Sequence, residues 1–476
     1  MNKRYLPFRL LTGLLSLALV LPVLVQNGMF MEGVLYSSIA KNMANGFGTF
    51  WFPQFSVLGL EGMTTYHEHP PLVFGLQSLF FKIFGDGFFT ERFYCLVAAG
   101  VTLYLIVVLW KRIGRVNLNV QYMEWLAMLF WTLIPLTYWT FQNNILENTM
   151  GIFVLLTVIC QFKYIEADKP NYLLLFYGGL CLFLATFSKG INGIYPVVVF
   201  LLHWALFRKQ TLLQAVRDTF VIMLIPAGIY YGLSFHEPAG ISMGNYIDQQ
   251  FFSYIPKATS FGDRFYILNR IFWELLPNMI MVLVSFAWFQ YREIDWKASL
   301  KRNKNYILLF LIIGLSGSLP LVLYMEQKSI YMATTFPFFA ISLALMVAPG
   351  WKKLIVKLDI ETKLFTSFNV IFTTLIVAVL AISAYLWEKP YRDGDLIKDV
   401  HKVAKVTGDN TVISVSKDMW YNWPMQGYFM RYHQISVNPN EKGTYLLLAD
   451  YSVPPDGYVF VDVQLNGFRL FKKKGN

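Results

Sequence analysis

The sequence predicts an all-α polytopic membrane protein that ends in a small α/β domain. Of 476 residues, 56% are hydrophobic and only 14% charged, whereas a soluble domain carries about a quarter charged residues. Apolar stretches recur up to residue 387 and approach the roughly 20 residues that cross a bilayer. Beyond about residue 388 the apolar runs shorten and charges return. The expected organisation is a transmembrane domain at 1–387, with a first outer loop at 27–88 carrying interfacial helices, and a soluble domain at 388–476.

Eleven spans are expected, at about 7–26, 89–110, 122–141, 145–162, 171–187, 191–207, 218–236, 272–290, 306–324, 329–348 and 365–387. Short re-entrant helices would raise the count to 12 or 13. The first follows Lys3, Arg4 and Arg9 without a small-x-small cleavage site, so it reads as an uncleaved span. Basic residues fall in alternate loops: Lys111 to Arg115, Arg208 to Arg217, Arg292 to Lys304 and Lys352 to Lys363. By the positive-inside rule these loops and the N-terminus are cytoplasmic, and the C-terminal domain is periplasmic. The net charge of +11 reflects those loops and anionic head groups rather than nucleic acid. Cys95, Cys160 and Cys181 sit in apolar segments without a CxxC pair and read as packing residues.

Three outer segments are more than turns. In the first, Glu32 to Asn45 has the helical spacing of an interfacial helix through Val34, Leu35, Ile39 and Met43, and Pro70 to Phe84 is a second short apolar helix. The second, Glu237 to Arg270, is long, aromatic and Gly/Pro-punctuated, the pattern of a functional lid, with Arg264 or Arg270 reaching a phosphate. The third is the tail. There a helix is expected at Asp395 to Val406 and strands at Thr411 to Val415 and Tyr445 to Ala449. Tyr458 to Leu465 and Phe468 to Lys473 flank Asn466-Gly467 as a hairpin.

Three acids lie at the outer ends of apolar segments: Glu32, Glu68 and Glu147. A carboxylate beside lipid is costly unless it is paired, binds a cation or does chemistry. Each has a plainer reading. Glu32 can cap a helix, Glu68 can belong to a polar turn, and Glu147 can be held by its neighbouring asparagines. The run Tyr66-His67-Glu68-His69-Pro70-Pro71 is more specific, because imidazole and carboxylate on a proline-stiffened backbone suit a divalent cation; Glu68 and His69 are the candidate ligands. Lys189-Gly190, Lys328 and Tyr331 fall on the same side. Two lysines there supply cations for a phosphate, and Gly190 and Gly193 permit close backbone approach. The set suits group transfer from a lipid-borne phosphate. A carboxylate deprotonates an acceptor hydroxyl, and cations stabilise the departing phosphate.

Taken in order, Glu32-Gly-Val-Leu-Tyr36, Phe52-Pro53, Tyr66-His-Glu68-His-Pro70, Ile83-Phe84-Gly85, Arg92, Leu146-Glu147, Lys189-Gly190 and Lys328-x-x-Tyr331 resemble the GT-C membrane glycosyltransferases. The resemblance is to the lipid A aminoarabinose transferases and the dolichyl-phosphate-mannose–protein mannosyltransferase-like group, over roughly residues 5–350. It implies a GT-C fold and an inverting transfer of a sugar from a polyprenyl-phosphate carrier to a lipid, glycan or protein acceptor, at the periplasmic face of a bacterial inner membrane. It implies Glu32 as base or acceptor-positioning group, Glu68 beside a divalent metal, Glu147 as the later acid and Lys189 near the donor phosphate. Tyr36, Tyr66, His69, Arg92, Lys328 and Tyr331 complete the candidate substrate-binding set. Three positions depart from the pattern: the family's Asp-Glu pair is Glu32-Gly33 here, a lysine is His69, and an Asp is Glu147. The alternative reading is a lipid or solute transporter or flippase. Such proteins carry charged or broken helices at mid-bilayer, often in paired repeats, and neither stands out here.

Overall fold

The computed structural model describes residues 3–59, 64–252, 265–324, 327–358 and 363–475. Eight of its helical segments are long and apolar enough to cross a membrane. They are α1 (Leu6–Leu24), α4 (Thr90–Val116), α7 (Glu147–Glu166), α8 (Tyr172–Lys189), α10 (Leu212–Ser234), α12 (Tyr266–Tyr291), α13 (Trp296–Ser318) and α14 (Phe336–Val356), three of them extended by short 3₁₀ turns. The chain is a multi-pass membrane protein of mostly helical structure, as expected. Two of the eleven expected spans take other forms among the described residues. Residues 122–141 split into α5 (Glu124–Thr132) and α6 (Pro135–Gln142), because proline has no N–H to continue a helix. Residues 191–207 begin as a 3₁₀ stretch, Ile191–Val198, before α9 (Val199–Phe207). The last expected span, 365–387, forms as the 24-residue helix α15 (Lys363–Leu386).

Both outer-loop helices form where the apolar spacing places them, as α2 (Met31–Ala44) and α3 (Leu72–Phe84). The segment expected to be a lid begins as a helix: Glu237–Ile247 is α11, with a proline in its first turn. Arg264 lies outside the described residues. Arg270 pairs with Glu274 at 2.7 Å, one turn along α12.

The tail holds α16 (Gly394–Thr407), α17 (Trp423–His433) and strands β1 (Val412–Val415), β2 (Ser436–Asn438), β3 (Tyr445–Ala449), β4 (Tyr458–Phe460) and β5 (Phe468–Lys473). The sheet order is β2-β1-β3-β5-β4. β1 pairs in parallel with β2 and β3, and β5 pairs antiparallel with β3 and β4. Leu446 opposes Phe471, and Phe460 opposes the same residue from the other side. The Asn466-Gly467 turn is not the expected two-residue hairpin. Asp399 of α16 accepts the backbone N–H groups of both residues and the Asn466 amide, at 2.8–3.3 Å. That carboxylate fixes the loop to the helix, and strand pairing starts only at Phe468.

The tail does not keep its core to itself. Its apolar cluster, built on Val400, Ile413, Phe429 and Leu447, also takes in Met29 and Val34. α17 lies along α2: Ser38 Oγ donates to the Gly427 carbonyl at 3.4 Å, and Lys41 Nζ donates to that of Arg431 at 3.0 Å. The C-terminal domain is thereby seated on the helix that carries Glu32 in its first turn.

Candidate active site

The chain assembles this site at helix ends. α2 starts at Met31 with Phe30 as its cap, which offers no side-chain cap bond. Glu32 therefore sits inside the first turn, where the helix dipole favours a carboxylate, and it does not cap. Its Oε1 meets Lys328 Nζ at 3.2 Å, and its Oε2 accepts from the Tyr36 hydroxyl, one turn on, at 3.2 Å. Glu147 opens α7, and Lys189 closes α8. Lys189 Nζ lies 2.7 and 2.9 Å from the two Glu147 oxygens, with both side chains almost wholly buried. The neighbouring asparagines do not hold Glu147. Asn143 accepts from the Phe30 N–H at 2.8 Å, and Asn144 bonds Gln77 and the Gly33 carbonyl. Those bonds tie the loop before α7 to α2 and α3.

Tyr36 stands at the centre. The Lys189 ammonium lies 5.9 Å from its ring and 5.3 Å from that of Tyr331, each within cation–π range. His69 Nε2 is 3.2 Å from the Tyr36 hydroxyl. The phenol proton points to Glu32, so the His69 contact is satisfied by the Nε2–H tautomer donating to the phenol oxygen. Tyr66 donates to Glu68 at 3.0 Å, and its ring packs on His69 and Phe74. Burial first, and then the fields of Glu32, Tyr66, Glu147 and Glu68, push the Tyr36 hydroxyl well above the usual phenol range. All three glutamates therefore converge electrostatically on one hydroxyl.

Charge follows the same geometry. Burial alone would raise the Glu32 carboxyl, but Lys189 and Lys328 outweigh it and hold Glu32 below the ordinary carboxylate range. Burial, reinforced by the same two ammoniums, drives His69 well below the ordinary imidazole range. His69 is thus neutral at pH 7 and cannot replace a lysine as a cation; Lys189 and Lys328 supply the positive charge.

The expected metal pair does not form. Glu68 and His69 turn to different partners, Tyr66 and Tyr36, and two ammoniums already flank His69. Among the described residues no three His, Cys, Asp or Glu side chains are grouped to hold a metal ion. This donor set does not fit a divalent cation, and no chemical step is assigned to one.

Arg92 stands apart from the other candidates. It is buried, donates to the Gln26 carbonyl at 3.1 Å and pairs with Glu91 at 2.5 Å. Glu91 also takes Arg431 of α17 at 2.6 Å. This Arg92–Glu91–Arg431 triad joins α4 to the C-terminal domain. A buried acidic–basic pair at a span's edge is a signal the sequence carries in Glu91-Arg92; Arg431, far along the chain, offers none.

Two glycines are required by space. A Cβ on Gly33 would lie 2.1 Å from the Asn143 carbonyl oxygen, which accounts for glycine where the resemblance leads one to expect an acid. Gly190 has φ +93°, and a Cβ there would lie 1.9 Å from the Tyr246 hydroxyl of α11. The segment from α11 onward covers the turn before α3: Ser242 meets His67 at 3.4 Å, and Gln250 donates to the Glu68 carbonyl at 2.9 Å. Glu147 also lines a small cavity with Thr137, Asn148 and Thr334.

Residues 68–234 match the family model described as dolichyl-phosphate-mannose-protein mannosyltransferase, a stretch holding Glu68, Glu147 and Lys189. No curated protein sequence matches the chain. Apo ArnT from Cupriavidus metallidurans has 12% sequence identity and a TM-score of 0.61, over 96% of this chain and 95% of that one. The same protein bound to undecaprenyl phosphate gives 12% and 0.60, over 97% of each chain. The archaeal oligosaccharyltransferase AglB from Archaeoglobus fulgidus, in complex with an inhibitory peptide and a dolichol-phosphate, gives 11% and 0.50, over 94% of this chain and 69% of that one. The chain has the GT-C fold that its motifs resemble.

Proposed function

We propose that this protein is an inverting glycosyltransferase. It takes a sugar from a polyprenyl-phosphate carrier and passes it to a lipid, glycan or protein acceptor. One observation carries the reading: two lysine–carboxylate pairs, Lys328–Glu32 and Lys189–Glu147, meet around Tyr36 at the ends of apolar helices. That end would face the periplasm, because the basic loops that mark the cytoplasmic side begin at the far ends of α4, α12 and α14. Nucleotide sugars are confined to the cytoplasm, so a lipid-borne donor suits a site on that face. The match to the mannosyltransferase family over residues 68–234 supports the same chemistry.

In this mechanism the carrier's phosphate enters between Lys189 and Lys328. It competes with Glu32 for Lys328, and Glu32 becomes more basic as its partner turns away. Glu32 then takes the proton of the acceptor hydroxyl as that oxygen attacks the anomeric carbon. The bond to phosphate breaks, and the lysines neutralise the departing polyprenyl phosphate. Tyr36 holds the Glu32 carboxylate in line through its hydrogen bond, and neutral His69 steadies the Tyr36 hydroxyl. Purified protein incubated with polyprenyl-phosphate sugars should release free polyprenyl phosphate in step with sugar transfer. Reconstituted vesicles that move lipid across the bilayer with no sugar transferred would instead favour a flippase.

A further inference from the structure

We propose that the opposite end of the bundle carries a second site, which binds a phosphate group: the head group of an anionic phospholipid or a free phosphate. α14 sets the separation. It rises about 24 Å from its first residue, Phe336, which follows Lys328 and the 3₁₀ stretch Ser329–Thr335, to Lys352 near its other end. There a cavity of about 740 Å³ lies between the end of α12, the start of α13, the end of α14 and the turn at Leu118 and Asn119.

Five cations line it: Arg292, Arg302, Lys352, Lys353 and Lys357. Among the described residues two acids, Glu293 and Asp295, share the lining. Asp295 is already engaged in capping α13, accepting from the Ala298 N–H at 3.0 Å. Lys352 donates to the Leu118 carbonyl, and Arg302 donates to the Asn119 amide oxygen at 3.3 Å. These acceptors are neutral, so they fix the cations in place without cancelling their charge. Asn303 accepts from Asn117 at 2.7 Å, which braces the turn against α13. Like charges held around one concavity concentrate a positive potential, and the N-terminus of α13 adds its dipole.

The rim points to a lipid as the source of the phosphate. Trp288 and Tyr291 at the end of α12 are exposed, as are Val356, the last residue of α14, and Leu358 just after it, and Arg292 sits 5.8 Å over the Trp288 ring. Exposed aromatic residues beside basic ones mark the level of lipid head groups. The volume also exceeds what a lone phosphate fills.

The test uses the full-length protein in nanodiscs of phosphatidylglycerol or of phosphatidylcholine, followed by native mass spectrometry of retained lipid. The comparison is an R302Q/K353Q/K357Q variant, which leaves Lys352 on its carbonyl. Retained phosphatidylglycerol but not phosphatidylcholine is expected, with affinity about tenfold weaker or worse in the variant at an unchanged melting temperature. Should the triple variant melt early, Arg302→Gln alone gives the same comparison. Calorimetric binding of inorganic phosphate without retained lipid, again lost in the variant, would assign the site to free phosphate. Equal binding by parent and variant of both probes, or equal retention of both lipids, overturns the proposal.

Discussion

Lys189 and Glu147, the last residue of one span and the first of another, form a buried ion pair with contacts of 2.7 and 2.9 Å. Their positions follow from chain topology: α7 and α8 are antiparallel neighbours joined by a short loop, so the start of one faces the end of the next. Each residue neutralises the other beside the Tyr36 ring, and on the proposed mechanism the pair is at once structural and chemical.

That dual role can be separated. Removing one partner of a buried pair costs about 3–5 kcal/mol, whereas replacing both by apolar residues is often neutral. Glu147→Ala should lower the unfolding temperature markedly in detergent. The K189M/E147L double variant should regain much of that loss while sugar transfer stays absent. A double variant that transfers sugar at the parental rate would remove the pair from the mechanism.

Glu32→Gln preserves size and the Tyr36 contact but cannot accept a proton. Transfer should fall by roughly 10²-fold or more, with polyprenyl-phosphate binding kept or tightened, because the phosphate no longer competes with a carboxylate for Lys328. The quantity to follow is released polyprenyl phosphate; a rate within a few-fold of the parent would rule Glu32 out as the base.

His69 makes a pH prediction whose sign is fixed. Burial, then Lys189 and Lys328, hold its folded pKa well below the ordinary 6.5. The unfolded chain therefore binds the proton first, and stability falls as pH drops below about 6.5. The loss is at most about 1.4 kcal/mol per pH unit from this residue. Tyr36 and Tyr66 face the ring and stay protonated throughout. Buried His67, also lowered, contributes a slope of the same sign, so the informative quantity is a difference. Melting curves at pH 7.5, 6.5 and 5.5 should converge between parent and His69→Gln as pH falls. Parallel curves would contradict a neutral His69.

Gly190 is held by both φ and space. Gly190→Ala should impair folding or activity, and Tyr246→Phe added to it should restore part of the loss by removing the hydroxyl that a Cβ would meet. No rescue would mean that the backbone angle alone demands glycine.

Glu91 is shared by two buried arginines. Glu91→Ala leaves both guanidiniums without their carboxylate, at a cost of about 3–5 kcal/mol. Because Arg431 belongs to α17, limited proteolysis should release the C-terminal domain sooner in this variant. An unchanged cleavage pattern would show that the apolar seam through Met29 and Val34 suffices.

The sequence by itself determined the membrane class, the approximate places of the helices and the sides on which charges gather, because a bilayer imposes long apolar runs and basic loops whatever the neighbours are. It also singled out Glu32, Glu68, Glu147, Lys189 and Lys328, since charge at the edge of an apolar run stands out locally. Only the tertiary structure decided who pairs with whom. Glu32 takes Lys328 from 296 residues away, His69 turns to Tyr36 instead of joining Glu68 at a metal, and Arg92 turns aside to Glu91. The α17 helix, the β2 strand and the seating of the tail on α2 were equally illegible. They are set by contacts between separate segments, β2 with β1 some 24 residues before it and α17 with α2 hundreds of residues away, and local periodicity carries no record of such partners.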